Sequence, residues 1–306
     1  MAQAKGFAFI PKLVASYGLL LACLWCSWPL CAQLDTFYLP VVSVQDSLLP
    51  PVGIYTDTWS GDSIPLGLGA DIAELLASES LVFVRQAGPG QVATISQAGG
   101  TAAQTSILWN GLPIQSPMLG LQDFSLVPAS AFDQISLTSG GSSSTSGSSG
   151  ISGTLQVQQK RPAAGSKLEV GAQGGSFGAR SQVLRWSAAR RLWAWRIYGQ
   201  QRRAANNYPV RQPNFWRDSL LPHAAWQQYV AQGEVYRQFS VRDEVALRYW
   251  YQFTKRELPP DLRVRQSLAT QQDESNRLSL SWQRRQSRGL LQLQGAWFRE
   301  AIHYRD

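Results

Sequence analysis

Cysteine is absent after position 31. Cys23, Cys26 and Cys31 all fall inside one N-terminal apolar stretch. The remainder of the chain therefore has no disulfide, no thiolate nucleophile and no thiolate metal site. Histidine is almost as scarce, with only His223 and His303, far apart and without ligand spacing. Serine is abundant, yet none sits in a Gly-x-Ser-x-Gly elbow. These gaps leave no catalytic signature, and no enzyme activity, cofactor or metal is expected.

Negative charge is missing from the first 34 residues, and positive charge from most of the next 126. The N-terminus carries Lys5 and Lys12, an apolar run from Leu13 to Leu30, and no acid before Asp35. A basic n-region followed by an apolar h-region reads as a secretory signal over 1–32, with Pro29 and Ala32-Gln33 favouring cleavage after Ala32. A membrane-spanning helix needs about 20 apolar residues and is the competing reading. Leu20-Leu21-Ala22-Cys23 also resembles a lipoprotein cleavage site, and Cys23-x-x-Cys26 a redox pair, although cysteines in an h-region pack as small apolar residues. Residues 33–160 hold Arg85 and Lys160 against nine Asp/Glu, net −7, whereas 161–306 hold 24 Lys/Arg against 11 Asp/Glu, net +13. A basic half interleaved with aromatics suits nucleic acid. In a secreted chain the better reading is internal: an acidic body seated in a wall that is basic inside or at its rims.

After Lys160 apolar and polar residues alternate with period two, the spacing of a sheet with two different faces. Val245, Leu247, Tyr249, Tyr251 and Phe253 share one face, with Glu244, Arg248, Gln252 and Thr254 between them. Trp193, Trp195 and Ile197 alternate with Ala194, Arg196 and Tyr198. Leu278, Leu280 and Trp282 alternate with Ser279, Ser281 and Gln283, and Leu291, Leu293 and Trp297 stand opposite Gln292 and Gln294. Eight of the 12 Trp and seven of the 10 Tyr lie beyond residue 160, the load that interfacial girdles of a transmembrane β-barrel require. A soluble antiparallel sandwich alternates in the same way. Seven strands are expected, at 167–175, 179–190, 192–203, 226–237, 241–256, 274–285 and 288–304. Short turns such as Ser176-Phe177-Gly178 alternate with the longer loops 204–225 and 257–272.

The stretch from Leu108 to Leu155 holds the remaining signal. It runs through an apolar strand, the turn Asn110-Gly111-Leu112-Pro113, a second strand led by Pro128 with Asp133, Ile135 and Leu137, and a glycine/serine comb. Such a comb, taken alone, is a flexible linker, but here strands bracket it. No Gly-Lys-Ser/Thr follows, so it is not a phosphate loop. In order and spacing the whole resembles the plug domain of TonB-dependent outer-membrane receptors. Gly140, Ser142, Ser143, Gly147, Ile151 and Gly153 fit that family's comb without a gap. Ser139 and Ser146 replace its usual Arg and Tyr, and the Arg-Gly pair expected near Ala98-Gly99 is missing. These losses weaken any expectation of ionic contacts between plug and barrel.

The resemblance implies a mixed fold: a small α+β plug domain, then antiparallel transmembrane β-barrel strands, the barrel being incomplete in this chain against about 22 strands in plugged transporters. The expected division is a signal peptide at 1–32, an extended segment at 33–60, the plug at 61–160 and a partial barrel at 161–306, as in a fragment or a truncated gene. Asp71 caps a short helix whose stripe is Ile72, Leu75 and Leu76, leading into a strand at Leu81–Val84. Leu39, Pro40, Val41, Val42, Ser43 and Val44 resemble the TonB box, which pairs with a periplasmic energising protein by strand addition; an ordinary first strand fits as well. Two loops match ligand-facing plug apices by position: Gln86, Gly88, Gly90 and Gln91 in the first, and Gln115, Pro117, Met118, Leu119 and Gln122 in the second. Simple loop punctuation explains them equally. The implied function is energy-coupled uptake of a scarce solute across the Gram-negative outer membrane, with a TonB-type protein, a small solute and lipid as partners. The plug is most similar to that of cobalamin-transporter-like receptors, and siderophores stay open. The alternatives are a structural or adhesive barrel without active transport, and a non-functional truncated receptor.

Overall fold

The computed structural model describes residues 55–64, 71–116, 120–140, 150–211, 218–260, 268–287 and 289–306. The expected signal peptide, the 39–44 segment, the comb residues Ser142, Ser143 and Gly147, and the loop residues Pro117, Met118 and Leu119 lie outside them. Among the described residues no helix is long and apolar enough to cross a membrane.

The first body is a five-stranded sheet whose strands, in order across it, are Tyr55–Ser60 (β1), Gln134–Ser139 (β6), Gly153–Gln158 (β7), Thr105–Trp109 (β4) and Leu112–Pro113 (β5). Its edge strand comes from the segment expected to be an extended leader, because Tyr55–Ser60 pairs residue for residue with Ser139–Gln134. The parallel pair β4–β7 needs a long crossover, and β5, β6 and the comb lie within it. Between β4 and β5, Asn110 at φ 48° and Gly111 at φ 88° make a two-residue turn with both dihedrals positive, the hairpin geometry that Asn-Gly favours. Asp71 caps the helix Ile72–Glu79 (α1), its carboxylate accepting the Glu74 N–H at 2.9 Å, and Ile72, Leu75 and Leu76 are buried as their spacing requires. The strand after it starts later than expected. Leu81 is fully exposed in a bend, and Phe83–Gln86 (β2) pairs with Ala93–Ser96 (β3).

The second body is one antiparallel sheet of seven long strands: Gly165–Gly174 (β8), Arg180–Arg190 (β9), Trp193–Ala204 (β10), Trp226–Gln238 (β13), Asp243–Glu257 (β14), Thr270–Gln286 (β15) and Gly289–Arg305 (β16). A small hairpin, Pro209–Arg211 (β11) with Asp218–Leu220 (β12), decorates the 204–225 loop. The strands follow one another as simple meanders, so each register is set by its own turn and by the alternation of its residues. Among the described residues the sheet does not close.

The polarity of this sheet is inverted. On β14 the apolar Leu247 and Tyr249 are exposed, while Arg248, Gln252 and Arg256 are buried. The polar face is buried because the first body packs against it, and the two share one hydrophobic core. Trp250 of β14 meets Trp109 and Phe132 edge-on, each at 5.6 Å between ring centroids and 72° between planes. Such aromatic pairs add about 0.5–1.5 kcal/mol each beyond the area they bury. Val183, Tyr198 and Val230 enter the same cluster as Ile107, Ile135, Leu137 and Leu155.

Candidate functional site

Three aspartates of the first body each meet an arginine of the long sheet. Arg196 Nη1 lies 2.6 Å from Asp133 Oδ2 and 3.4 Å from Glu234 Oε1. Arg202 Nη2 is 3.6 Å from Asp71 Oδ2. Arg256 Nη2 lies 2.7 Å from Asp123 Oδ2 and 3.0 Å from Asp273 Oδ2. All three arginines are buried. Arg196 and Arg202 lie six apart on β10 and so face the same side, while Arg256 ends β14. The acidic half and the basic half of the sequence are thus joined one to one. The contacts come from positions other than the three where the plug pattern is broken.

Each bridge is built into a local fold. Asp123 spends its other oxygen on the N–H groups of Ala93 and Ser125, each at 3.0 Å, and on the Ser125 hydroxyl at 2.7 Å, so its carboxylate cannot rotate away without breaking a turn. Asp133 accepts the Lys160 N–H at 2.7 Å, and Arg196 donates to the Lys160 carbonyl at 2.9 Å, which fixes the chain where it passes from one body to the other. Gln159 beside it accepts from the Trp109 indole at 2.7 Å and from the Asn110 amide at 2.9 Å, and donates to Gln232 at 2.8 Å. Asp71 both caps α1 and faces Arg202. Burial pushes its carboxyl up to about 7, while the nearby guanidinium pulls the other way.

The two candidate ligand loops are drawn to one residue that sequence reading missed. Arg256 approaches the Gly90 carbonyl of the first loop at 3.5 Å and the carboxylate next to Gln122 in the second. Gly90 has φ 74° and lies flat against the Trp226 ring, so a β-carbon there has no room. Gln91 is buried and donates to the Glu257 carbonyl at 3.1 Å. Gln122 is buried and donates to the Asp123 carbonyl at 3.0 Å, and Gln115 donates to the Thr105 carbonyl at 3.0 Å. Gln86 is half-buried on β2. These amides hold the loops, and the exposed residues of the first loop are Ala87 and Pro89, with Gly88 half-buried between them. There Asn206 donates to the Pro89 carbonyl at 2.7 Å, and a cavity of about 250 Å³ opens between Pro89, Phe177, Tyr208, Arg202 and Trp226. Phe177 and Tyr208 stand edge to face at 5.8 Å. The second loop borders a separate cleft of about 120 Å³ with Arg277 and Glu300.

Residues 56–154 match the TonB-dependent Receptor Plug Domain family. That stretch is a TonB-dependent receptor plug domain, and the strands after it have the fold of such receptors' barrel strands. The vitamin B12 transporter BtuB of Photobacterium profundum is 30% identical over 132 residues, which are 43% of this chain and 21% of that protein. The chain thus spans about a fifth of that relative's length. Solved structures share the fold: the ferric yersiniabactin uptake receptor FyuA from Yersinia pestis, with a TM-score of 0.65 at 12% identity over 82% of this chain and 41% of that one. The copper transporter OprC gives 0.64 at 17% over 79% and 36%, and the siderophore receptor PiuA from Acinetobacter baumannii 0.64 at 14% over 82% and 37%. The plug is therefore the body held by the three bridges, and the long sheet is the inner wall that receives it. The aspartates are visible in the sequence as isolated acids at turns, and the arginines as the inward members of alternating strands. Only the fold says which meets which.

Proposed function

We propose that the chain is part of an outer-membrane receptor that imports a scarce solute with energy delivered from the periplasm. The observation that carries this reading is the set of three buried arginine–aspartate bridges between plug and wall. A buried charge left without its partner costs about 3–5 kcal/mol, so displacing the plug is opposed wherever a bridge opens before water reaches the freed groups. A gate held this firmly needs work from outside, which a periplasmic TonB-type protein supplies by pairing with an extended segment, here residues 39–44. A pull on the chain before Tyr55 would load β1 first, an edge strand hydrogen-bonded on one side only to β6.

The wall's exposed apolar face would meet lipid and the turns after β9, β13 and β15 the periplasm, with the longer connections and the short 175–179 turn outside. Solute would meet the tip of the first plug loop together with Tyr208, Phe177 and Asn206, and the second loop from its own cleft. Relatives named for vitamin B12, for copper and for siderophores share the fold, and a cobalamin-like or siderophore-like ligand fits this reading. The test is uptake by whole cells carrying the full-length receptor. Deleting 39–44 should abolish uptake and leave surface binding nearly unchanged, and Val42→Pro should act alike because it removes a backbone donor. Uptake that survives without the energising system would sink the transport reading and favour a structural barrel.

A further inference from the structure

A cavity of about 480 Å³ lies at the rim of the wall, at the end of the strands that carries the long connections, with Arg180, Arg203, Gln227 and Lys255 along its side. The register explains the grouping. Arg180 pairs with Arg203, Arg203 with Gln227, and Gln227 with Lys255, so the four form one row across β9, β10, β13 and β14. Their chain neighbours Arg202, Trp226 and Arg256 are buried against the plug, which turns this row outward. Arg180, Arg203 and Lys255 are exposed, and among the described residues none has a hydrogen-bonding or ionic partner for its side chain. The one carboxylate at the cavity, Glu257, is engaged by the Ala225 N–H at 3.0 Å and faces His223 Nδ1 at 3.7 Å. Gly178, Ala205 and Ala225 line the cavity as well, so the wall's own side chains do not fill it.

One step further along the strands, about 7 Å at two residues, lies the row Gln201, Tyr229 and Phe253, with the two rings 6.5 Å apart. Tyrosines on an outward barrel face mark the level where hydrocarbon gives way to headgroups, which puts the cationic row among the phosphates. The opposite rim differs: there Arg237 is stacked on Trp193 and Phe239 at 4.9 and 4.6 Å. We propose that the Arg180–Arg203–Lys255 cavity seats the phosphorylated headgroup of an anionic lipid in the leaflet facing the long connections. Two guanidinium forks match phosphate oxygens in pairs, and the lysine adds a point charge.

The proposal rests on the membrane reading above. Its test uses the full-length receptor purified in detergent and titrated with diphosphorylated lipid A or with phosphatidylcholine, bound lipid being counted by native mass spectrometry. Wild type should retain lipid A selectively. The triple variant Arg180→Gln/Arg203→Gln/Lys255→Gln should bind it about a hundredfold more weakly, about a factor of five per cation removed near a charged surface. Arg237→Gln should bind as wild type does. Equal retention by the triple variant overturns the proposal, as does displacement of lipid by millimolar inorganic phosphate, which would mark a site for free anion. Should the triple variant fail to fold, Lys255→Glu alone still decides, since reversing an exposed charge must weaken lipid A binding and spare phosphatidylcholine. A wild type that does not fractionate with the outer membrane would instead sink the membrane reading. A membrane-inserted wild type without selectivity sinks only the lipid site.

Discussion

Plug and wall are both antiparallel-rich sheets, yet they are stabilised in opposite ways. The plug buries apolar side chains such as Ile107, Ile135, Leu137 and Leu155 and turns Asp71, Asp123 and Asp133 to the wall's arginines. The wall exposes leucines such as Leu247, Leu280 and Leu293 and buries arginine, glutamine and serine. A buried arginine is costly unless a carboxylate meets it, so the wall's inner face is complete only when the plug is seated. The plug supplies most of the core that the two share, whereas the wall needs both the plug and an apolar surround.

The sharpest way to break the comparison is Arg256→Met. It leaves Asp123 and Asp273 facing one another without their shared cation and frees the Gly90 loop, so a loss of about 3–5 kcal/mol is expected in the denaturant-induced release of the plug, followed by tryptophan fluorescence. An unchanged midpoint would mean the bridge is decorative. Next, Leu247→Arg on the outward face should cost about 2–4 kcal/mol in bilayer-refolded receptor, whereas the same change in a soluble sandwich would be nearly silent. Urea titration in liposomes separates the two. Gly90→Ala places a β-carbon against Trp226 at a positive φ. It should destabilise by about 1–3 kcal/mol and loosen the first loop, read as faster proteolysis between residues 86 and 91.

The smallest effect is the pH dependence from Asp71. Its folded pKa of about 7 lies above the ordinary carboxylate value of about 3.9. The folded plug therefore holds a proton that the unfolded chain has released, and this group's contribution falls as pH rises from about 4 to about 7. Asp71→Asn keeps an oxygen for the α1 cap and removes the titration, so the variant should lose that slope. Chemical denaturation at pH 5 and pH 8 measures it. A slope that persists in the variant would place the titration elsewhere, and a wild type that gains stability over this interval would show that Arg202 keeps the carboxylate ionised.

Period two, the Asn110-Gly111 turn, the Asp71 cap and the charge split are all readable in one dimension, because each is a local property of backbone geometry or of composition. Strand limits between 165 and 305 fall within a few residues of expectation where a turn closes directly on its neighbour, as at Phe177. The largest shift is at Thr270, where the strand begins before the expected 274 on leaving the second long loop, while Trp226, after the first, starts where expected. β2 is displaced because apolarity at Leu81 marks a helix exit as readily as a strand.

Sequence alone could decide which residues of a strand share a face, since alternation is imposed by the pleat, and it could decide that an acidic part precedes a basic one. It could not decide that Arg256, Arg202 and Arg196 would find Asp123, Asp71 and Asp133, because those pairs lie between 63 and 133 positions apart. No local rule links residues at such separations. Their meeting depends on the order β1-β6-β7-β4-β5 and on the orientation in which that sheet lies across β10 and β14. The same holds for Gln91 and Gln122, whose position in the plug pattern suggested ligand contact. Only packing shows that their amides are already committed to carbonyl groups.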